Sequence, residues 1–152
     1  MDVRGLLEGA RLLKGMSESQ ITAIGNLAQK VHFSRGEKII LEDGRDRDFY
    51  IVAEGKVSIT LFVPGSLDRM ESIISLRAGQ IFGEFAVIDG APRSASVQAD
   101  TEVAVFRFHA EDVIKLCETD FEFGYRLMHN LGAILASRIR DTTLLVRNNI
   151  IW

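Results

Sequence analysis

The chain of 152 residues is 47% apolar and 26% charged, the balance of one soluble globular unit, and at that length a single core can hold it without staples. Its 18 basic and 21 acidic residues give a formal charge of −3, which offers no bulk attraction for nucleic acid. The lone cysteine, Cys117, excludes an internal disulfide and a CxxC zinc site, and a reducing, cytoplasmic setting is expected. Asp2, Arg4, Glu8 and Arg11 interrupt the first apolar residues, unlike a signal peptide, and no uncharged run approaches the ~20 residues that span a bilayer.

In chain order, Val3, Leu6, Leu7, Ala10 and Leu13 recur at helical spacing and predict a short amphipathic helix that Gly15 ends. Ser17 followed by Gln20 is a capping box. Behind it Ile21, Ile24, Leu27 and Ala28 predict a second helix with one apolar face. These elements form a helical lead-in over residues 1–30.

From residue 31 to 109 the period changes. Short apolar stretches at Lys38–Leu41, Asp48–Ala53, Lys56–Val63, Met70–Leu76, Ser94–Ala99 and Glu102–Phe108 are separated by turn residues such as Asp43-Gly44, Pro64-Gly65 and Asp89-Gly90. Val57, Ile59 and Leu61 alternate with Lys56, Ser58 and Thr60, and Val103 and Val105 begin another alternation. Many short strands with regular turns predict a sandwich or barrel rather than a parallel sheet.

The helical period returns over residues 110–152. Asp112–Cys117 predicts a short helix, its start favoured by Glu111 and Asp112. Asp120 to Arg147 contains no proline and predicts one long helix with two apolar stripes. Leu127, Leu131 and Ile134 form the first; Met128, Leu131, Leu135, Ile139, Thr142 and Val146 form the second. Two stripes need two covers, the chain's own core and a partner helix. With no repeat and no linker, the whole chain reads as one unit.

The chemistry concentrates in Phe82-Gly83-Glu84-Phe85-Ala86-Val87-Ile88-Asp89-Gly90-Ala91-Pro92-Arg93-Ser94-Ala95-Ser96-Val97. A glycine permits close backbone approach, and a helical turn behind it offers unpaired N–H groups to an anionic oxygen. Arg93, returned by the Asp-Gly-Ala-Pro turn, can bond two phosphate oxygens bidentately, and Ser94 can add a hydroxyl. A carboxylate beside a phosphate repels it unless it has another task, and Glu84 suits a ribose hydroxyl. The competing reading is a structural Glu84–Arg93 ion pair.

This stretch resembles the phosphate-binding cassette of the cyclic nucleotide-binding domain family, shared by catabolite activators, regulatory subunits of cAMP-dependent protein kinase and cyclic nucleotide-gated channels. Phe82, Gly83, Glu84, Ala86, Pro92, Arg93, Ser94 and Ala95 match the family pattern in order and spacing, as do Gly36, Gly55 and Gly79 upstream. The resemblance covers Ser17 to Arg147. It implies a mainly β fold, a double-stranded β-helix or eight-stranded jelly roll with N-terminal helices and a long C-terminal helix. It further implies that Glu84 takes the ribose 2′-hydroxyl and Arg93 the exocyclic phosphate oxygens. Ser94, Ala95 and the N–H groups near Gly83, Phe85 and Ala86 would complete the cradle. Serine at position 94 occurs in the cAMP-binding activators, so cAMP is the expected ligand and cGMP the alternative. In those activators the long helix also dimerises, and adjacent hydroxyl residues on it contact the adenine amino group; Thr142 and Thr143 stand in a similar place. The competing readings are two solvated threonines, or Trp152 stacked on the purine.

The remaining features read as structural. His32, His109 and His129 have no metal-ligand spacing, and without a His-x-His motif the cupin enzymes are set aside. Cys117 reads as a small buried hydrophobe. Arg126, Arg138, Arg140 and Arg147 read as a solvated face of the last helix. The expectation is a non-enzymatic sensor, without metal or cofactor, that passes ligand occupancy through its C-terminal helices to an effector protein. A homodimer is expected through the last helix. Contact with membrane is not expected, because no apolar run is long enough to span one, and contact with nucleic acid is not, because the catabolite activators continue into a helix-turn-helix domain for which this chain has no room. The alternatives are a regulatory module of a larger transcription regulator or channel, and a dimerisation scaffold that has lost its ligand.

Overall fold

The computed structural model describes residues 2–62, 64–65 and 70–150. The first predicted helix is broken: α1 spans Val3–Gly9, Ala10 is extended, and a 3-10 turn covers Arg11–Leu13. Leu12 and Leu13 are both buried in that turn. α2 spans Glu18–Gly25 and starts with the expected capping box, Ser17 bonded to the Gln20 amide and the Gln20 side chain to the Ser17 amide.

Eight strands follow, β1 (Gln29–Phe33), β2 (Lys38–Ile40), β3 (Asp48–Glu54), β4 (Val57–Phe62), β5 (Met70–Leu76), β6 (Ile81–Phe82), β7 (Ser96–Ala99) and β8 (Val103–His109). They form two four-stranded sheets, ordered β1-β8-β3-β6 and β2-β7-β4-β5, with antiparallel pairing throughout. This is the mainly β roll with flanking helices that the sequence leads to. The sequence pattern missed β1, which is polar and half exposed, and β6, which is two residues long. α3 (Phe85–Ile88) interrupts the strands, and α4 (Ala110–Thr119) and α5 (Phe121–Ile150) close the chain. No helix among the described residues is long and apolar enough to cross a membrane.

β3 explains how the two layers join. Its run from Phe49 to Ala53 is buried on both faces. Tyr50 and Val52 point between the sheets, beside Phe82, Val57, Val97 and Val105. Phe49 and Ile51 point the other way, to Phe106, Phe108 and the helical residues Leu7, Ile24, Phe123 and Leu127. Phe49 stacks on Phe108 at 5.0 Å and Tyr50 on Phe82 at 4.9 Å, one pair in each layer. The alternation predicted in β4 holds for direction but not for exposure. Ser58 and Thr60 are buried, with Ser58 donating to Asp100.

α5 is anchored at its start and middle. Asp120 caps it by accepting from the Phe123 amide at 3.0 Å and from the Gln20 side chain at 3.4 Å. The Asn130 amide donates to the carbonyls of Leu12 and Lys14, both at 2.9 Å. The first predicted stripe, Leu127, Leu131 and Ile134, is buried in the helical layer. The second splits: Leu131 belongs to that core, whereas Met128, Ile139 and Val146 are exposed.

Candidate functional site

A cavity of about 630 Å³ lies between β4, β5, the segment 82–95 and the second half of α5. Its wall starts at Gly83, whose φ of 75° is the left-handed conformation that turns the chain from β6 into α3. A Cβ there would crowd the Asp48 carbonyl at 3.0 Å and the Arg93 guanidinium at 3.1 Å, so glycine suits the position by space as well as by conformation. After α3 the Asp89 carboxylate accepts from the Ala91 amide at 2.9 Å, which shapes the turn to Pro92. The Arg93 backbone then pairs with the 43–44 turn: its N–H donates to Gly44 and its carbonyl accepts from Asp43, both at 2.8 Å.

Glu84 and Arg93 are each only 7% exposed. They do not pair with each other, so the competing reading of a mutual ion pair fails. Arg93 directs Nε and Nη2 at the two carboxylate oxygens of Asp46, at 3.3 and 2.6 Å. Its Nη1 donates to the Gly83 carbonyl at 2.9 Å and its Nη2 also to the Asp48 carbonyl. Hydrogen bonding from Arg93 holds the Asp46 carboxyl below its usual range. The edge expected to grip phosphate thus grips a carboxylate, and among the described residues one Nη1 proton is left over.

Glu84 accepts from Arg138 of α5 at 2.6 Å, and the same guanidinium donates to the Ile81 carbonyl at 2.6 Å. This corrects the reading of Arg138 as part of a solvated face: its side chain is 19% exposed and ties α5 to the cassette. One signal was available. Arg138 stands four residues after Ile134 and four before Thr142, on the face that turns inward.

The cavity gathers every expected ligand residue: Gly83, Glu84, Phe85, Ala86, Arg93, Ser94 and Ala95 from the cassette, and Thr142 and Thr143 from α5. The Glu84 and Phe85 amides and the Ser94 hydroxyl have no hydrogen-bond partner among the described residues. Thr142 and Thr143 are exposed, and their hydroxyls donate to the carbonyls of Arg138 and Ile139 at 2.9 and 2.8 Å. Each keeps lone pairs to accept with. Ile59, Leu61, Ile73 and Ile74 make the end of the cavity away from the cassette apolar, and Ile139 and Val146 join them from α5. Trp152 lies outside the described residues. Cys117 is partly buried, which pushes its thiol pKa up. Neither Cys117 nor His129, stacked on Tyr125 at 5.9 Å, lines the cavity.

The model of the cyclic nucleotide-binding domain family matches residues 30–120. The chain is 32% identical over 122 residues to cGMP-dependent 3',5'-cGMP phosphodiesterase A of Dictyostelium discoideum, across 80% of this chain and 13% of that protein. It is 28% identical over 141 residues to the cyclic AMP receptor protein of Thermus thermophilus, across 91% of this chain and 61% of that one. It therefore spans less than two thirds of the length of either relative. A cyclic nucleotide-binding domain from Methylobacillus flagellatus has the same fold, with a TM-score of 0.84 at 20% identity over 97% of this chain and 82% of that chain.

Proposed function

This chain belongs to the cyclic nucleotide-binding domain family, and from that premise we propose that its cavity binds a cyclic purine nucleotide, cAMP in preference to cGMP, as a cytoplasmic sensor without catalysis. One observation carries the reading. An arginine and a carboxylate, both nine-tenths buried, stand at one end of a cavity whose other end is apolar. A buried cation and a separate buried carboxylate at a cavity wall fit a ligand with one anionic group and one hydroxyl beside a flat apolar base.

In this reading the cyclic phosphate faces Arg93 and takes the open Nη1 proton, the amides of Glu84 and Phe85, and the Ser94 hydroxyl. Gly83, Ala86 and Ala95 give it room. Asp46 keeps the opposite edge of the guanidinium and so fixes its plane. Glu84, steadied by Arg138, accepts from the ribose 2′-hydroxyl. The base lies between the β4–β5 wall and α5. Because Thr142 and Thr143 direct their protons to backbone carbonyls, they meet the base as acceptors. Adenine presents its amino group as a donor there, whereas guanine presents a carbonyl, and two acceptors repel. Occupancy then passes from Glu84 through Arg138 into α5, which pairs with a second copy and acts on an effector protein.

Calorimetric titration with cAMP and cGMP tests the ligand. Tighter binding of cAMP is the expected result, and equal or tighter binding of cGMP overturns the threonine assignment. The sugar contact has its own crossed test. With 2′-deoxy-cAMP, Glu84 keeps its bond from Arg138 but loses the one from the sugar, at a cost of about 1–3 kcal/mol, so the analogue should bind the parent roughly 5- to 150-fold more weakly than cAMP. Glu84→Ala should scarcely distinguish the two. Equal discrimination by both proteins sinks the assignment.

A further inference from the structure

Arg47 stands in the loop between β2 and β3, outside the cavity, and its contacts all lead to the cassette and the helix behind it. Its Nη2 donates to the Ala86 carbonyl at 3.2 Å. Ala86 belongs to the one-turn helix α3, which supplies backbone donors to the Phe85 carbonyl but not to that of Ala86. Beside it, Gly90 has a φ of 62°, and a Cβ there would lie 3.2 Å from Cζ, Nε and Nη2 of Arg47. The bare backbone lets the guanidinium lie close against the Asp89–Gly90 turn. Nη1 reaches Glu111 of α4 at 3.7 Å. The Arg47 carbonyl accepts from Ala110, the first residue of α4, at 2.8 Å.

Two arginines therefore hold this segment, Arg93 at the Gly83 carbonyl before α3 and Arg47 at the Ala86 carbonyl within it. We propose that Arg47 is a positioning residue that holds the turn Phe85–Gly90 in the shape aiming Glu84 and its neighbouring amides into the cavity, and fastens that turn to the start of α4. The ion pair with Glu111 is solvent-exposed and contributes little. The bond to Ala86 and the fit against Gly90 do the holding. The consequence for ligand affinity rests on the cyclic nucleotide reading above; the consequence for the turn itself does not.

The experiment compares the parent, Arg47→Ala and Arg47→Lys by amide hydrogen exchange without ligand, and then by cAMP titration. Arg47→Ala should speed exchange at Val87, Asp89 and Gly90 about tenfold, leave the β3 and β8 amides unchanged, and weaken cAMP about five- to tenfold. Arg47→Lys keeps a cation at the Ala86 carbonyl but loses the planar fork, so it should recover part of both effects. Exchange in the turn within about twofold of the parent overturns the proposal. So does a lysine variant no better than alanine, or acceleration spread evenly over the sheets. A parent that binds no cyclic nucleotide overturns the ligand reading, and the ligand-free exchange still decides the role of Arg47.

Discussion

Arg93→Ala is expected to weaken cAMP binding by about 30-fold to several thousand-fold. Removing one partner of a buried charge pair costs roughly 2–5 kcal/mol, and Arg93 is 7% exposed. The loss has two sources. The ligand phosphate meets no cation, and the carbonyls of Gly83 and Asp48 lose the donor that draws the cassette against β3. Arg93→Lys keeps the charge but cannot serve Asp46, Gly83 and Asp48 together, so it should also bind weakly. Stability against pH reads the same contact without ligand. The Asp46 carboxyl is held low in the folded state by its hydrogen bond from Arg93. Its contribution is therefore present above the unfolded carboxyl pKa of about 3.9 and lost as pH falls through the depressed value. The parent should lose this contribution on acidification, and Arg93→Ala should lack that part of the acid dependence. A variant with parental affinity would remove Arg93 from the phosphate.

What the sequence made legible is local. A capping box, an alternation of strand residues or a glycine–proline cassette joins positions a few residues apart, and backbone period alone brings them together. β3 shows the limit of that logic, because its five successive buried residues serve two layers and leave no alternation to read. The charged partners were illegible for a different reason. Asp46 meets Arg93 and Arg138 meets Glu84 across 47 and 54 residues of chain. No local period distinguishes Asp46 from the solvated charges around it, and the helical spacing of Arg138 from Ile134 gives its face but not its partner. Arg47 is the same case: half exposed, in a run of alternating charges, and visible only when Gly90 and Ala86 arrive beside it. Cassette recognition thus located the cavity wall, while the residues that hold the wall in shape needed the fold.

The second large effect is expected in assembly. Phe121, Tyr125, Met128, Leu135, Ile139, Thr142 and Val146 follow one another along α5 in steps of three, four and seven, the spacing of a helix-pair seam. Phe121 is 81% exposed, Tyr125 71% and Ile139 65%, a line of large apolar side chains that the chain's own core leaves open. Interlocking side chains of this size would each bury apolar area at about 25 cal/mol per Å², which offsets the cost of association. The parent should therefore sediment as a dimer. Leu135→Lys, the obvious disruptor, alters the cavity as well. Met128→Lys lies on the seam but not on the cavity, so it should give a monomer whose pocket is intact. Thr142 belongs to both surfaces, so cAMP bound there favours whichever arrangement of the helix pair offers it the better contact. The dimer of the parent should accordingly tighten or loosen with cAMP in analytical ultracentrifugation, and Met128→Lys should show no such response. A parent that stays monomeric with and without ligand ends the proposal, and α5 then acts only as a lid held to the cassette by Arg138.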